Sequence, residues 1–432
     1  MRQSMWRLGS IFTCGLAMLP AGAVWAEPSW ESVPPMITPR GEHTATVLQD
    51  GRVLVVGGYP EVDEVGPYTD ENTAVSLRDV EIYDPATRAW SPAAPLSQRR
   101  SGHAAILLPN GHVLVAGGRA RSQWSFGPEL SSAEVYDPTS DTWTAVGRLP
   151  VPYPAPSMML AGGRPVLVGM AYSEIEAVNG MHAAVYDPES RTWTSAPSCN
   201  TWWPRLTPMS ATLLHDGRVM AVGSRCSLYD PETRLWTWEQ GAVLATGEYM
   251  YPDATTLPGG GVLVVGGTLS GPDPEVHAFS QIYLPQDDRW EPTSGQYAPA
   301  STPCGLNGSS IRGARTSLLP SGKVLLTGGV ESCRPEGSTG FIVPFYATMA
   351  LFDEATRAWS SLDVEPPVTM ARAYHSSTRL MDGSLLIAGG YVGATTPTAS
   401  AVLFHERAQL GAGCDADGDC GSGFCADSVC CD

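Results

Sequence analysis

One unit of about 50 residues recurs along this chain, and that repetition limits the fold more than any other feature. The first copy runs from His43 to Trp90. It holds an alternating stretch that ends at Leu48, an Asp-Gly turn, a short apolar stretch at 53–56 and a Gly-Gly pair. A polar loop, a segment with Tyr83 and a second turn follow. Glycine accepts the positive φ that tight turns need, so the unit predicts four antiparallel strands.

An aromatic pair marks each of six copies, with a Tyr or Phe seven residues before a Trp. The pairs are Tyr83 and Trp90, Tyr136 and Trp143, Tyr186 and Trp193, Tyr229 and Trp236, Tyr283 and Trp290, and Phe352 and Trp359. Gly-Gly, then Tyr, then Trp at this period is typical of a β-propeller blade, and the chain resembles the kelch-repeat family. The resemblance covers nearly the whole mature chain.

The seventh copy lacks its Trp. It has Gly389-Gly390 and a third strand near 402–404, but no Trp follows. Trp30, near the start of the mature chain, supplies the missing residue. We expect the N-terminal strand to complete the seventh blade and close the ring, because an open propeller leaves strand edges unpaired. The expected fold is an all-β, seven-bladed kelch-type propeller with a small disulfide-rich C-terminal tail.

The sequence patterns at both ends of the chain predict segments that lie outside the propeller. Residues 1–26 have the pattern of a secretory signal peptide, with a basic start, a short apolar run and a cleavage site near Ala26. The run is too short to cross a bilayer, so we predict no transmembrane segment. Residues 27–410 form the propeller and 411–432 a Cys-rich tail. We predict a protein that is secreted or lies on the outer cell surface.

Nine cysteines remain after cleavage, and export favours bridged cysteines over free thiols. Cys199 and Cys304 lie in linkers before two blades, and Cys226 and Cys333 lie just past the second strand of the same blades. We predict Cys199–Cys226 and Cys304–Cys333 bridges. The tail has Cys414, Cys420, Cys425, Cys430 and Cys431, which leaves one for an intermolecular bond or a truncated repeat. It resembles the Cys-rich ends of exported proteins of myxobacteria.

Loop lengths separate two faces of the propeller. Turns inside each unit are short, whereas the connections after the Gly pairs are long, as at 59–79 and 330–348. Because strands alternate in direction, the long connections share one face, the long-loop face, with the linkers between blades. Irregular loops on a rigid scaffold often carry binding sites, so we place ligand binding there. Trp202, Trp203 and Arg205 are candidates there for a sugar or peptide, with packing between blades as the other use.

Three blades begin with Arg, two residues and then His. The pairs are Arg40 and His43, Arg100 and His103, and Arg372 and His375. Three histidines at equivalent positions could ring the axis and hold a metal. The other blades lack this His, so we interpret the pairs as part of the repeat and predict no metal site. Arg372 is also a candidate binding residue.

The segment 372–376 resembles a strand opening of galactose oxidase, a kelch-fold copper enzyme. In that family a Tyr-His pair here binds copper, and a second Tyr, cross-linked to a Cys, forms a radical. Tyr374 and His375 match the pair. Tyr251 lies in the phase of the second Tyr, and under this alternative Cys199 would be its thioether partner instead of bridging to Cys226. The resemblance implies a copper radical oxidase of primary alcohols or aldehydes as an alternative function.

The composition limits the kinds of molecule that the protein can bind. A net charge of −18 repels nucleic acid and anionic membranes. The sequence has no hydrolase elbow, phosphate loop or zinc helix. We therefore predict a non-catalytic binding module, without a cofactor, for a protein or polysaccharide ligand. The alternatives are the copper oxidase and a passive surface or matrix protein anchored by its tail.

Overall fold

The computed structural model describes most of residues 28–406 and a short hairpin near the C-terminus. The described ranges are 28–60, 76–120, 128–173, 178–197, 199–200, 210–222, 228–237, 249–250, 252–266, 268–269, 280–295, 311–330, 349–362, 364, 366, 370–392, 396–406, 425–426 and 429–430. One compact unit comprises Pro28–Glu406. A second comprises residues 1–27 and 407–432, and its described part is the hairpin of β34 (Cys425–Ala426) and β35 (Val429–Cys430).

Six four-stranded antiparallel sheets and one five-stranded sheet form the seven blades of the larger unit, which confirms the all-β, seven-bladed propeller. Blades 1 to 3, from innermost to outermost strand, are β2 (Thr44–Val47), β3 (Val53–Val56), β4 (Val80–Asp84) and β5 (Ala89–Ala93); β6 (Ala104–Leu107), β7 (Val113–Ala116), β8 (Ala133–Asp137) and β9 (Thr142–Val146); and β10 (Ser157–Ala161), β11 (Arg164–Ser173), β12 (Val178–Asp187) and β13 (Thr192–Ser195). Blades 4 to 6 are β15 (Ser210–Leu213), β16 (Val219–Val222), β17 (Leu228–Asp230) and β18 (Leu235–Thr237); β20 (Asp253–Thr256), β21 (Val262–Val265), β23 (Ser280–Leu284) and β24 (Arg289–Pro292); and β25 (Arg315–Leu318), β26 (Val324–Thr327), β27 (Met349–Asp353) and β28 (Ala358–Ser361). Blade 7 is β29 (Ser376–Arg379), β30 (Leu385–Ala388), β33 (Ala401–His405) and β1 (Ser29–Val33).

Short pairings supplement the blades. They are β14 (Cys199–Asn200) beside β12, β19 (Tyr249–Met250) with β22 (Thr268–Leu269), and β31 (Tyr391–Val392) with β32 (Thr396–Pro397). In the described part of the chain there is no helix long and apolar enough to cross a membrane.

The second strands of the blades form the core between sheets. All four residues are buried in β3, β7, β16, β21, β26 and β30. Apart from Thr327 at the end of β26, these strands are apolar throughout, because each blade packs on a neighbour at both faces. The outermost strands have exposed positions, as β5 does.

Each Tyr or Phe of the aromatic pairs packs against the preceding blade. Tyr136 of blade 2 lies in a cluster with blade 1, and Tyr83 of blade 1 lies in a cluster with blade 7. The paired rings are 5.0 to 5.2 Å apart, as in Tyr83 with Trp90 and Phe352 with Trp359. The rings therefore fill the space between blades.

The N-terminal strand β1 is the outermost strand of blade 7. Trp30 pairs with Phe404 in the register of β1 on β33, and their rings are 4.8 Å apart. This geometry matches the Tyr–Trp pairs of the other blades. Two boundaries of blade 1 differ from the prediction: β2 ends at Val47 instead of Leu48, and the fourth strand does not end at Trp90. It continues to Ala93, because Ala93 still pairs with Val80 across the ladder.

The Gly-Gly pairs join consecutive blades through the backbone. The Gly58 amide of blade 1 donates a hydrogen bond to the Arg100 carbonyl before blade 2, at 2.9 Å. A Cβ on Gly57 would lie 2.5 Å from that same oxygen. The first glycine therefore allows the close approach, and the second makes the bond.

Candidate site at the long-loop mouth of the central channel

The innermost strands surround a central channel. β2, β6, β10, β15, β20, β25 and β29 are neighbours in that order, and β29 lies beside β2. The first residue of each strand lies opposite the end of the second strand, as Arg315 lies opposite Thr327. Those ends lead into the long connections. The first residues of the innermost strands therefore mark the end of the channel on the long-loop face, which we call the channel mouth.

The three repeated arginines lie inside the blades. Arg40, Arg100 and Arg372 have no exposed surface. Arg100 donates to the Gly117 carbonyl at 2.9 Å and to Glu134 at 2.9 Å. Each guanidinium thus holds the end of a second strand to the start of a third, which is the role expected of a repeat residue.

Arg372 makes equivalent bonds in blade 7. Its guanidinium donates to the Gly389 carbonyl at 3.1 Å and to the Ser400 hydroxyl at 2.7 Å. Burial lowers the pKa of Arg372 to about 10. The structure places the Arg372 side chain inside the blade, with no exposed surface.

The three repeated histidines bridge neighbouring blades. The Nε2 atoms of His43, His103 and His375 lie 2.9, 2.9 and 2.8 Å from hydroxyls of the preceding blade. The partners are Ser376, Thr44 and Thr327 respectively. Burial, with the nearby arginine charges second, lowers the pKa of each ring, to about 3 for His43. These imidazoles are neutral inter-blade contacts.

Tyr374 has a left-handed backbone at the channel mouth, as Glu42, Gly102 and Gly313 do at the equivalent positions of other blades. Its φ is 57°, in the left-handed region that bulky residues rarely adopt. Its amide donates to the Gly313 carbonyl at 2.8 Å, and its carbonyl accepts the Glu42 amide at 3.1 Å. The Gly102 amide in turn donates to the Glu42 carbonyl at 2.9 Å. A backbone ladder thus runs around part of the mouth and holds the half-buried Tyr374 there.

Charged groups from blades 5 and 6 meet beside this ladder. One oxygen of Asp253 accepts the Thr316 amide at 2.6 Å and the Thr316 hydroxyl at 2.7 Å. The Arg315 Nε donates to the His375 carbonyl at 3.2 Å. Arg315 Nη1 and Asp253 Oδ1 are 3.8 Å apart. Asp253, Arg315 and Tyr374, from three consecutive blades, form what we call the mouth cluster.

Sequence reasoning singled out Tyr374 but missed Asp253 and Arg315. Neither belongs to a motif. The available signal is position: both begin an innermost strand, where blades 1, 4 and 7 have Thr44, Ser210 and Ser376.

The channel wall differs between its two sides. Hydroxyl pairs join the innermost strands of blades 4 to 7: Thr212 with Thr256 at 2.8 Å, Thr255 with Thr316 at 2.6 Å, and Ser317 with Ser377 at 2.6 Å. On the other side Ile106 and Met158 pack into the core between blades 2 and 3. Polar groups that could meet a ligand are thus concentrated near the mouth cluster.

The described residues do not form a copper site around Tyr374 and His375. No three His, Cys, Asp or Glu side chains of the described ranges come together in a metal-binding arrangement. The Nε2 of His375 faces Thr327 Oγ1 and makes the same inter-blade contact as His43 and His103. The inter-blade contact of the repeat is therefore sufficient to explain why His375 is present.

Several predicted site residues lie outside the described residues. They are Trp202, Trp203, Arg205, Tyr251, Cys226, Cys304 and Cys333, with Cys414, Cys420 and Cys431 of the tail. For Cys199, Cys425 and Cys430 only the strand is described: Cys199 of β14 lies opposite Met181 of β12. The predicted disulfides and the Trp202–Trp203 contact surface stay predictions.

A cleft also lies on the opposite face, between blades 2 and 3. Its volume is about 180 Å³. Its lining includes Asn110, His112, Asp137 and Arg191, and His112 Nε2 is 4.0 Å from Asp137 Oδ1. Ligand pockets usually enclose roughly 300–1,000 Å³, so this cleft is a weaker candidate than the channel mouth.

Comparisons with known proteins agree with the repeat architecture. Two Kelch motif models match, over residues 39–97 and 99–150. An F-box/kelch-repeat protein of Arabidopsis thaliana is 36% identical over 118 residues, which are 27% of this chain and 28% of that protein. Kelch-like protein 25 of Xenopus tropicalis is 29% identical over 140 residues, 32% of this chain and 22% of that protein. The chain thus spans less than a third of these relatives.

A solved structure extends the comparison to the whole fold. It is a fungal alcohol oxidase of the AA5 family in complex with copper. The TM-score is 0.62 with 17% identity, over 91% of this chain and 78% of that one. At this identity the likeness concerns the fold alone.

Proposed function

We propose that this kelch-repeat propeller is a non-catalytic binding module that engages a partner protein at its channel mouth. The observation that carries the proposal is the mouth cluster, in which Asp253, Arg315 and Tyr374 from three blades meet at one end of the channel. The Arg315 side chain is 40% exposed there. Kelch repeats are typically protein-interaction modules, and nothing in the described residues gathers a catalytic metal set.

The rigidity of the cluster supports binding. Each of the three residues lies on an innermost strand or within two residues of its start, and neighbouring blades fix these strands on both sides. A contact surface held in place in advance loses little conformational entropy when a partner binds. The left-handed backbone of Tyr374 recurs at Glu42, Gly102 and Gly313, the equivalent positions of other blades, so it fixes the geometry of the mouth as part of the repeat.

We also propose that the protein is secreted or lies on the outer cell surface. The signal-like segment 1–26 supports export, and the register of β1 on β33 supports closure of the ring by the N-terminal strand. Export also favours the Cys199–Cys226 and Cys304–Cys333 bridges and a bridged tail. Mass spectrometry of the secreted protein without reduction tests these points together. A mature chain that keeps residues 1–26, or that carries free thiols at Cys199, Cys226, Cys304 or Cys333, contradicts them.

A binding selection tests the function. Purified protein is used to select binders from a random peptide library displayed on phage, and affinities are measured by fluorescence anisotropy. We expect Tyr374→Gly to weaken binding at least about tenfold through lost aromatic contact, which is about 1.4 kcal/mol. Glycine adopts a positive φ freely, so this variant keeps the backbone. His112→Gln, on the opposite face, is the matched control.

Two results would reject the proposal. One is the absence of any selected peptide that binds wild type, or binding that Tyr374→Gly leaves unchanged. The other is hydrogen peroxide release from primary alcohols by the copper-loaded protein, lost in Tyr374→Phe. That second result would establish the oxidase alternative instead.

A further inference from the structure

We propose that Arg315 is a carboxylate-binding residue, which receives one Asp or Glu side chain of the partner protein at the channel mouth. This inference rests on the proposed function and identifies the chemistry that the mouth recognises.

The guanidinium of Arg315 is fixed at one end and open at the other. Its Nε donates to the His375 carbonyl at 3.2 Å, which ties it to blade 7. The side chain is nevertheless 40% exposed. A guanidinium has two terminal NH₂ groups in a planar fork that matches a carboxylate, with two parallel hydrogen bonds. Tethering through Nε orients this fork before a ligand arrives.

Asp253 does not occupy the fork. The distance of 3.8 Å between Arg315 Nη1 and Asp253 Oδ1 is too long for a hydrogen bond. The other carboxylate oxygen of Asp253 accepts two hydrogen bonds from Thr316. Asp253 therefore offsets the charge of Arg315 at a distance, and within the described residues no carboxylate is hydrogen-bonded to this guanidinium.

Arg315 is not one of the buried arginines of the repeat. The buried Arg40 and Arg100 bond to Glu81 and Glu134 inside their blades. Arg315 stands instead at the first position of an innermost strand. The other innermost strands begin with Thr44, Ala104, Ser157, Ser210, Asp253 and Ser376. Arg315 is thus an exposed cation at a position that the other blades fill with small or acidic residues. A ligand that binds to its guanidinium explains why an arginine stands there.

The negative charge around Arg315 favours a ligand with one isolated carboxylate over a ligand with many. The chain has a net charge of −18, and Glu42 and Asp253 lie at the same mouth. A polyanion such as an acidic polysaccharide carries a charge on every unit and is repelled by this field. One acidic residue flanked by neutral or basic residues avoids that repulsion. Tyr374, one residue before the carbonyl that holds Arg315, offers an aromatic ring to the residue beside it.

A double-mutant cycle tests the contact. The probes are peptides selected on wild-type protein, each with and without its acidic residue changed to Gln. A hydrogen bond to a charged group contributes about 1.5–3 kcal/mol, so we expect Arg315→Gln to weaken binding about 10- to 150-fold. The same variant should bind both forms of the peptide equally. Arg315→Lys, which keeps the charge without the fork, should bind more weakly than wild type.

Arg379→Gln is the matched control, since Arg379 is an exposed arginine at the other end of an innermost strand. Near-ultraviolet circular dichroism shows whether each variant is folded. If peptides bind but the two losses in the cycle simply add, the carboxylate contact is wrong and the binding function stands. If no peptide binds, both are wrong. Binding of polygalacturonate, but of no peptide, through Arg315 would replace the protein partner with a glycan.

Discussion

Acidification should destabilise the propeller, because its buried histidines are neutral in the folded state. The pKa of His43 allows the contribution of one histidine to the free energy of unfolding to be calculated. The residue has 7% exposed surface, and its ring Nε2 lies 2.9 Å from the Ser376 hydroxyl. Burial lowers its pKa from 6.5 to about 3, and the positive charges of Arg40 and Arg315 add to the effect. The imidazole is therefore neutral in the folded protein at every pH above about 3.

The sign follows from where the proton binds. Between pH 6.5 and about 3 the unfolded chain protonates His43 and the folded chain does not. Proton binding then favours unfolding, so the stability present above pH 6.5 is lost as the pH falls through this window. At about pH 5 the loss is RT ln(1 + 10^1.5), or about 2 kcal/mol, relative to about pH 8. His103 and His375 act in the same direction.

Urea unfolding at the two pH values measures this loss. We expect wild type to lose about 2 kcal/mol more than His43→Gln between about pH 8 and about pH 5, because glutamine has no proton to gain. Glutamine can still bond to the Ser376 hydroxyl, so the comparison isolates protonation. Equal losses in the two proteins would show that His43 is already charged in the folded state, and the neutral inter-blade contact would be refuted.

Two further predictions concern the blade junctions. Gly328→Ala should cost about 1–3 kcal/mol, since a Cβ there would lie 2.2 Å from the Arg372 carbonyl at a φ of 65°. Gly217→Ala, with a φ of 88° but open space around it, should lower the urea midpoint less, and an equal fall would contradict the close-approach explanation. Trp30→Ala should cost about 3 kcal/mol by removing the ring that contacts Phe404. An unchanged thermal midpoint would show that β1 does not support blade 7.

The candidate site was only partly accessible to sequence reasoning. Tyr374 was identified through its Tyr-His motif, yet its left-handed backbone could not be foreseen. Asp253 and Arg315 lie 62 residues apart on two blades (315 − 253 = 62). They meet only because neighbouring innermost strands run side by side. No local pattern encodes that proximity.

The sequence alone determined the blades. A strand of alternating or continuous apolar residues, a glycine that accepts positive φ and an aromatic pair at fixed spacing are local features, and their repetition predicted seven sheets. Strand β3 was predicted at 53–56 and lies at Val53–Val56. Tertiary structure decided the rest. Which arginine is buried inside a blade, as Arg372 is, and which is exposed at the channel, as Arg315 is, depends on what the neighbouring blade places beside each side chain.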